Sequence, residues 1–239
     1  MFTKVAYLII PDQGTEKYLQ PEITQPAKIE NNSVFNIYGI NIEIANMVNI
    51  VETNIQRSLV AILDHYSVLE EVNTNENIVN TINEGISKNL MLLMASNINM
   101  QEAKQAASLF SINVDLERMS DHALNLAEAG DDLVKSDLSL SVNTYDEIQK
   151  ISTIILNSLN LLNYIFDSGD PSYMVEIQKN EELIDKLCYS YRNVEIDRMK
   201  RDSTETEAGV IYSEMLIDIE RIGDHIVNVA ENVVSGYKE

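Results

Sequence analysis

The sequence predicts an all-α protein of six long helices, arranged as two tandem, pseudo-symmetric, antiparallel three-helix bundles behind an extended N-terminal arm. Three observations predict it. Proline removes a helix hydrogen bond and pushes its predecessor toward extended geometry; it is confined to Pro11, Pro21, Pro26 and Pro171. Helix-start signals recur through the rest of the chain, and apolar residues between them follow a helical rather than an alternating spacing. A 14-residue segment of the third helical stretch returns in the sixth.

The prolines make residues 1–32 an extended arm. Asn32-Ser33 opens the first helix, which runs to about Tyr66, and Thr74-Asn75 opens the second, to about Ser96. Asn99 with Glu102 and Thr144 with Glu147 have capping-box spacing, and open the third helix (to about Lys135) and the fourth (to about Phe166). Asp170-Pro171 pairs an N-cap with a first-turn proline and opens the fifth, to about Arg201. Thr204 with Glu207 opens the sixth, which ends near Gly236. Its buried stripe is the clearest: Tyr212, Leu216, Ile219, Gly223, Ile226, Ala230 and Val233 form a seam of period 3.5 that must pack along another helix. Such stretches are rods of roughly 33 to 50 Å at ~1.5 Å per residue, and short links make neighbours antiparallel.

Asp115-Leu-Glu-Arg-Met-Ser-Asp-His-Ala-Leu-Asn-Leu-Ala-Glu128 matches Asp218-Ile-Glu-Arg-Ile-Gly-Asp-His-Ile-Val-Asn-Val-Ala-Glu231 at a constant offset of 103, with eight of the 14 positions identical. Duplication is the economical account. It divides the chain into the arm (1–32), a first bundle (33–137) and a second bundle (138–239).

The 239 residues carry 17 Lys+Arg against 38 Asp+Glu, a net charge of -21. A nucleic-acid backbone or an anionic membrane surface would repel such a chain, whereas divalent cations and basic protein surfaces suit it. The single cysteine, Cys188, excludes an internal disulfide framework and fits a reducing compartment; between Leu187 and Tyr189 it reads as a packed thiol. No run approaches the ~18 apolar residues a membrane span needs, and the start from Met1 to Ile10 is too short in its apolar part for a signal peptide. The expectation is a soluble chain that does not insert in a membrane.

The Glu-Arg-x-x-Asp-His-x-x-Asn-x-Ala-Glu pattern at Glu117 and again at Glu220 resembles the third-helix signature of the PhoU family, and the resemblance covers residues 34 to 237. It implies paired three-helix bundles, multinuclear metal sites on acidic Glu/Asp-x-x-x-Asp motifs, and negative regulation of phosphate uptake. The arm, with Ile-Ile-Pro-Asp12 followed by Lys17 to Ala27, looks like the segment joining membrane helices to a PhoU-like tail in bacterial sodium/phosphate cotransporters. The resemblance therefore implies a cytoplasmic location at the inner face of the membrane. The partner would be a phosphate transporter membrane domain, in cis or in trans, and a homo-oligomer is possible.

On a helix Glu220 and Asp224 lie 40° and roughly 6 Å apart, with Glu231 returning to the azimuth between them. Glu117, Asp121 and Glu128 repeat the arrangement. Like charges four residues apart repel, so an acidic ribbon placed twice invites a cation; Arg118 and Arg221 point about 100° away and are imperfect partners. The fifth helix adds Glu181 and Asp185 beside a stripe of Ile177, Ile184, Leu187, Tyr191 and Val194. In the family this second-helix motif faces the third-helix motif. Four carboxylates would hold divalent or trivalent metal ions: iron, manganese, magnesium, calcium, or zinc with oxygen ligands. The first copy offers Glu76 but has Asn80 where an aspartate is expected, so the second bundle is expected to hold metal more tightly.

His122 and His225 occupy matched repeat positions, turned away from the acidic ribbon but aligned with Asp115 or Asp218 seven residues earlier. A hydrogen-bonded Asp/His pair between helices and metal ligation are the two readings; no Glu-x-x-His supports a ferritin-like centre. The third, His65, ends its helix. No phosphate loop, metalloprotease helix or serine elbow is present, and the expectation is a non-enzyme. Alternatives are a metal-free helical scaffold or oligomerisation module and, remotely, a histidine phosphotransfer bundle.

Overall fold

The computed structural model describes residues 33–201 and 206–237, and the arm over 1–32 and the Thr204 cap lie outside them. Six helices follow in order: α1 (Ser33–Asp64), α2 (Leu69–Met94), α3 (Met100–Lys135), α4 (Val142–Ser168), α5 (Met174–Arg201) and α6 (Thr206–Tyr237). Helices α1, α2 and α3 pack on one another, as do α4, α5 and α6. The broadest contact in the molecule runs between α3 and α6, and α1 also touches α4, so the two bundles share a core through their repeat helices. Among the described residues no helix is long and apolar enough to cross a membrane.

Several starts follow the expected chemistry. Asn99 and Glu102 close the capping box of α3, each backbone N–H donating to the other's side chain at 2.9 Å. Asp170 accepts from the Ser172 amide at 2.9 Å, and Pro171 opens a 3-10 turn that leads into α5. Two starts are corrected. Helix α2 begins at Leu69 rather than at Thr74-Asn75 and has no side-chain cap. The extra turn buries Val72 in the core and places Glu70 and Glu71 at the positive end of the helix dipole, while Thr74 donates back to the Glu70 carbonyl at 2.8 Å. Helix α4 begins at Val142 with Ser141 as its cap: the Ser141 hydroxyl accepts from the Thr144 amide at 3.2 Å, and Glu147 is drawn away to Arg198.

The seam of α6 is buried along its length, from Tyr212 to Val233. Several of its equivalents on α3 are smaller or polar, among them Asn113, Ser120, Ala123 and Gly130, which is why the stripe reads more faintly there. Asn113 donates to the Asn83 carbonyl at 3.2 Å and the Ser87 hydroxyl at 3.0 Å, while its Oδ1 is buried without a partner. On α5 the stripe is corrected: Val194 is exposed, and the seam continues from Ile177 and Ile184 through Cys188 to Glu195, one residue and about 100° further round. Cys188 is fully buried, and desolvation pushes its thiol up to about 12, as a packed cysteine requires.

Candidate metal centre

Helix α6 places Glu220 and Asp224 one turn apart, and antiparallel α5 brings Glu181 and Asp185 alongside. Carboxylate oxygens of Glu181, Asp185 and Asp224 all lie within 4.8 Å of one another, and the three side chains are half-buried. Burial raises the Glu181 carboxyl above its ordinary value, and the charges of Asp185 and Asp224 raise it further. The Asp185 Oδ1 is buried with no hydrogen-bond partner. A buried, unpartnered carboxylate oxygen on a residue clustered with like charges is costly unless a cation or donor meets it. Three converging hard oxygen donors with one orphaned atom fit magnesium, calcium, manganese or iron.

Glu220 stands outside this cluster, because Arg192 reaches across from α5 and pairs with it. Sequence spacing did not single out Arg192, two turns beyond the Glu181/Asp185 motif on the same helix. Asp224 also receives Arg221 Nη1 at 3.2 Å, an exposed contact within one turn. The acidic ribbon of α6 is thus divided: Asp224 joins α5 carboxylates, Glu220 takes an arginine, and Glu231 accepts from Gln178 at 3.4 Å.

The first copy assembles differently. Asn75 donates to Asn54 at 2.8 Å as Asn180 donates to Asn157 at 2.9 Å, so the dipeptides Asn75-Glu76 and Asn180-Glu181 occupy equivalent places. That repeated pair was legible in the sequence. Glu76 is 4% exposed, accepts from the Ser120 hydroxyl, and leaves Oε1 buried without a partner. Burial carries its carboxyl up to about 7; the Ser120 bond opposes the rise, and Asp121 and Glu117 add to it. Glu117 is raised too, by burial and then by Asp121. With Asn80 in place of an aspartate, no grouping of three ligands forms around Glu76, Glu117 and Asp121 among the described residues.

The histidines form pairs between helices, and the pairs cross between copies. His122 Nδ1 donates to Asp218 Oδ1 at 2.8 Å and His225 Nδ1 to Asp115 Oδ1 at 2.9 Å. Asn125 and Asn228 donate to the same oxygens at 2.9 and 3.5 Å, and the two imidazoles stack with centroids 5.7 Å apart. Offset spacing pointed to an Asp/His pair; the reciprocity and the stacking become visible only once α3 and α6 are seen to run antiparallel.

The family model described as "PhoU domain" matches the chain twice, at residues 44–130 and 148–233. A Streptococcus pneumoniae protein described as "Phosphate-specific transport system accessory protein PhoU homolog" is 26% identical over 183 residues, spanning 74% of this chain and 82% of the relative. A Thermotoga maritima protein, "Phosphate-specific transport system accessory protein PhoU homolog 1", is 21% identical over 169 residues, spanning 70% and 72%. Among solved structures, PhoU from Pseudomonas aeruginosa superposes with a TM-score of 0.79 at 19% identity, covering 85% of this chain and 97% of that one. The Streptococcus pneumoniae phosphate transport system regulatory protein PhoU gives 0.70 at 22%, covering 85% and 95%.

Proposed function

The chain belongs to the PhoU family, and from that premise we propose that it regulates phosphate transport without turnover, by holding metal ions on acidic faces of its paired bundles. Its relatives carry the description of phosphate-transport accessory proteins, which supports the regulatory role. The observation that carries the metal reading is the meeting of Glu181, Asp185 and Asp224 around a buried, unpartnered Asp185 oxygen. Those three side chains would hold the ion. Glu76, Glu117 and Asp121 would offer at most a weaker second site, since no three ligands converge there among the described residues, and Glu220 with Arg192 flanks the first. A bound cation would cancel carboxylate repulsion across the α5–α6 contact and stiffen that face for docking. The partner is the membrane domain of a phosphate transporter, met either in trans or in cis as the cytoplasmic tail of a sodium/phosphate cotransporter.

Elemental analysis of purified protein tests this, set beside the variant Glu181→Gln/Asp185→Asn/Asp224→Asn. Stoichiometric metal in the parent and its loss in the variant are expected. Metal-free protein that still binds the transporter would point instead to a helical scaffold.

A further inference from the structure

The α3–α6 face carries a cleft of about 870 Å³, and the carboxylate cluster supplies only one wall of it, through Glu181 and Asp224. Arg118, Arg221, His122 and His225 also line it, together with Glu182 and uncharged neighbours. These four basic residues are two repeat-equivalent pairs, and the antiparallel course of α3 and α6 brings both members of each pair to one place. The histidines already have a role, since each holds the other copy's aspartate. The arginines have no comparable one. Arg118 is exposed and makes no hydrogen bond or ion pair among the described residues, and its charge acts on neighbouring Glu117. Among the described residues Arg221 reaches Asp224, at 3.2 Å with its own side chain 56% exposed, a contact that contributes little. Two guanidinium groups sharing one cleft repel, and neither the core nor the contact between copies needs them there. Once a cation neutralises the carboxylate cluster, a ligand carrying negative charge resolves both points.

We propose that this cleft binds a tetrahedral phosphate dianion between Arg118 and Arg221, either free phosphate or the terminal group of a phosphomonoester, once a cation occupies Glu181, Asp185 and Asp224. The inference rests on the metal and phosphate reading above and gives it a ligand. Planar guanidinium forks match phosphate oxygens two at a time, which a lysine cannot do. The histidine Nδ1 atoms are committed to carboxylates, so Nε2 of each ring is the nitrogen left for a ligand in the cleft. Order of binding follows from charge. Glu181, Glu182 and Asp224 outnumber the two arginines along the walls, so the cleft repels a dianion until a cation neutralises the cluster.

Equilibrium dialysis of the full chain tests this with inorganic phosphate in one arm and glucose 6-phosphate in the other, each with and without Mn²⁺, metal uptake being read by elemental analysis. Phosphate binding that needs Mn²⁺ is expected in at least one arm, and the arm that binds identifies the source. Arg118→Gln/Arg221→Gln, both exposed positions, is expected to keep its melting temperature and its Mn²⁺ but to lose about tenfold in phosphate affinity per arginine. Mn²⁺ uptake with neither anion bound, or equal anion binding by the double variant, overturns the proposal. Failure to take up Mn²⁺ at all is a separate outcome that sinks the metal reading, and with it the cation dependence claimed here.

Discussion

Glu76 offers a direct test of how the first copy differs from the second. Its carboxyl is 4% exposed and rises from 4.5 to about 7, because burial disfavours the charged form and Asp121 and Glu117 add their repulsion. A raised value means that the folded chain holds the proton more tightly than the unfolded one. Glu76 therefore imposes no penalty below pH 4.5, and stability is lost progressively as pH climbs from there through about 7. At 1.36 kcal/mol per unit, the full penalty in metal-free protein is roughly 3 kcal/mol by pH 8, a large share of the ~5–15 kcal/mol that holds a domain together. Glu76→Gln keeps the shape and an oxygen for the Ser120 hydroxyl but cannot ionise. Urea titrations of variant and parent at a series of pH values isolate Glu76 together with the carboxylates it interacts with, because the titrations of all other groups cancel in the difference. The variant is expected to gain about 2 to 3 kcal/mol on the parent between pH 5 and pH 8. A difference that stays flat across that range refutes the assignment. Repeating the pH 8 titration with Mn²⁺ asks whether Glu76 takes part in a metal site, since a ligand role narrows the gap by stabilising only the parent.

Two further perturbations address how the copies are joined and how their cores differ. Asp218→Asn withdraws the charged acceptor from His122, and Asp115→Asn from His225; each is expected to cost about 1.5–3 kcal/mol in urea unfolding. The double variant should depart from the sum by at least about 0.5 kcal/mol because the imidazoles stack, and simple additivity would mean the two pairs act independently. Arg198→Met strands Glu147 and Glu195, whose carboxylates it holds at 2.7 and 2.8 Å, and should cost about 3–5 kcal/mol. Replacing the whole network by the residues of the first copy (Glu147→Ile, Glu195→Leu, Arg198→Leu, Tyr212→Leu) should recover most of that loss in a thermal melt.

The helices were legible because long apolar stripes and terminal caps are local signals: Asn99 with Glu102 and Asp170 with Pro171 act where the sequence places them. Thr74 and Thr144 misled for a physical reason. A cap-forming side chain inside a helix can satisfy itself on the preceding turn, as Thr74 does on the Glu70 carbonyl, and burial of Val72 decides the boundary instead. At the site, the convergence of Glu181 and Asp185 with Asp224 follows from spacing plus an antiparallel neighbour. The removal of Glu220 from that group depends on how far the Arg192 side chain reaches between helices, which no single-helix projection contains. Glu195 was invisible for a similar reason, since a charged residue in a buried seam is intelligible only beside Arg198.

What the two copies keep and what they lose follows from which contacts are shared. Asp115, His122 and Asn125 each meet the opposite copy, and so do Asp218, His225 and Asn228. Changing one of them leaves a group in the other half without its partner, so the two versions are tied together. Residues that face only their own bundle carry no such tie. Asp185 has become or remained an aspartate where the first copy has Asn80; Gly223 faces Ile184 where Ser120 serves Glu76; and the network of Glu147, Glu195, Arg198 and Tyr212 stands where Ile44, Leu90, Leu93 and Leu109 make an apolar core. Even Gly209 fits this pattern: a Cβ there would lie 2.7 Å from Glu195 Oε1, while Ala106 is accommodated at the equivalent place beside leucines. The α3–α6 contact is therefore the element that holds the halves to one geometry, and the outer helices α2 and α5 are free to differ. An asymmetric pair of acidic sites, one with three converging carboxylates and one with a buried acid poised near neutrality, is the consequence of that division.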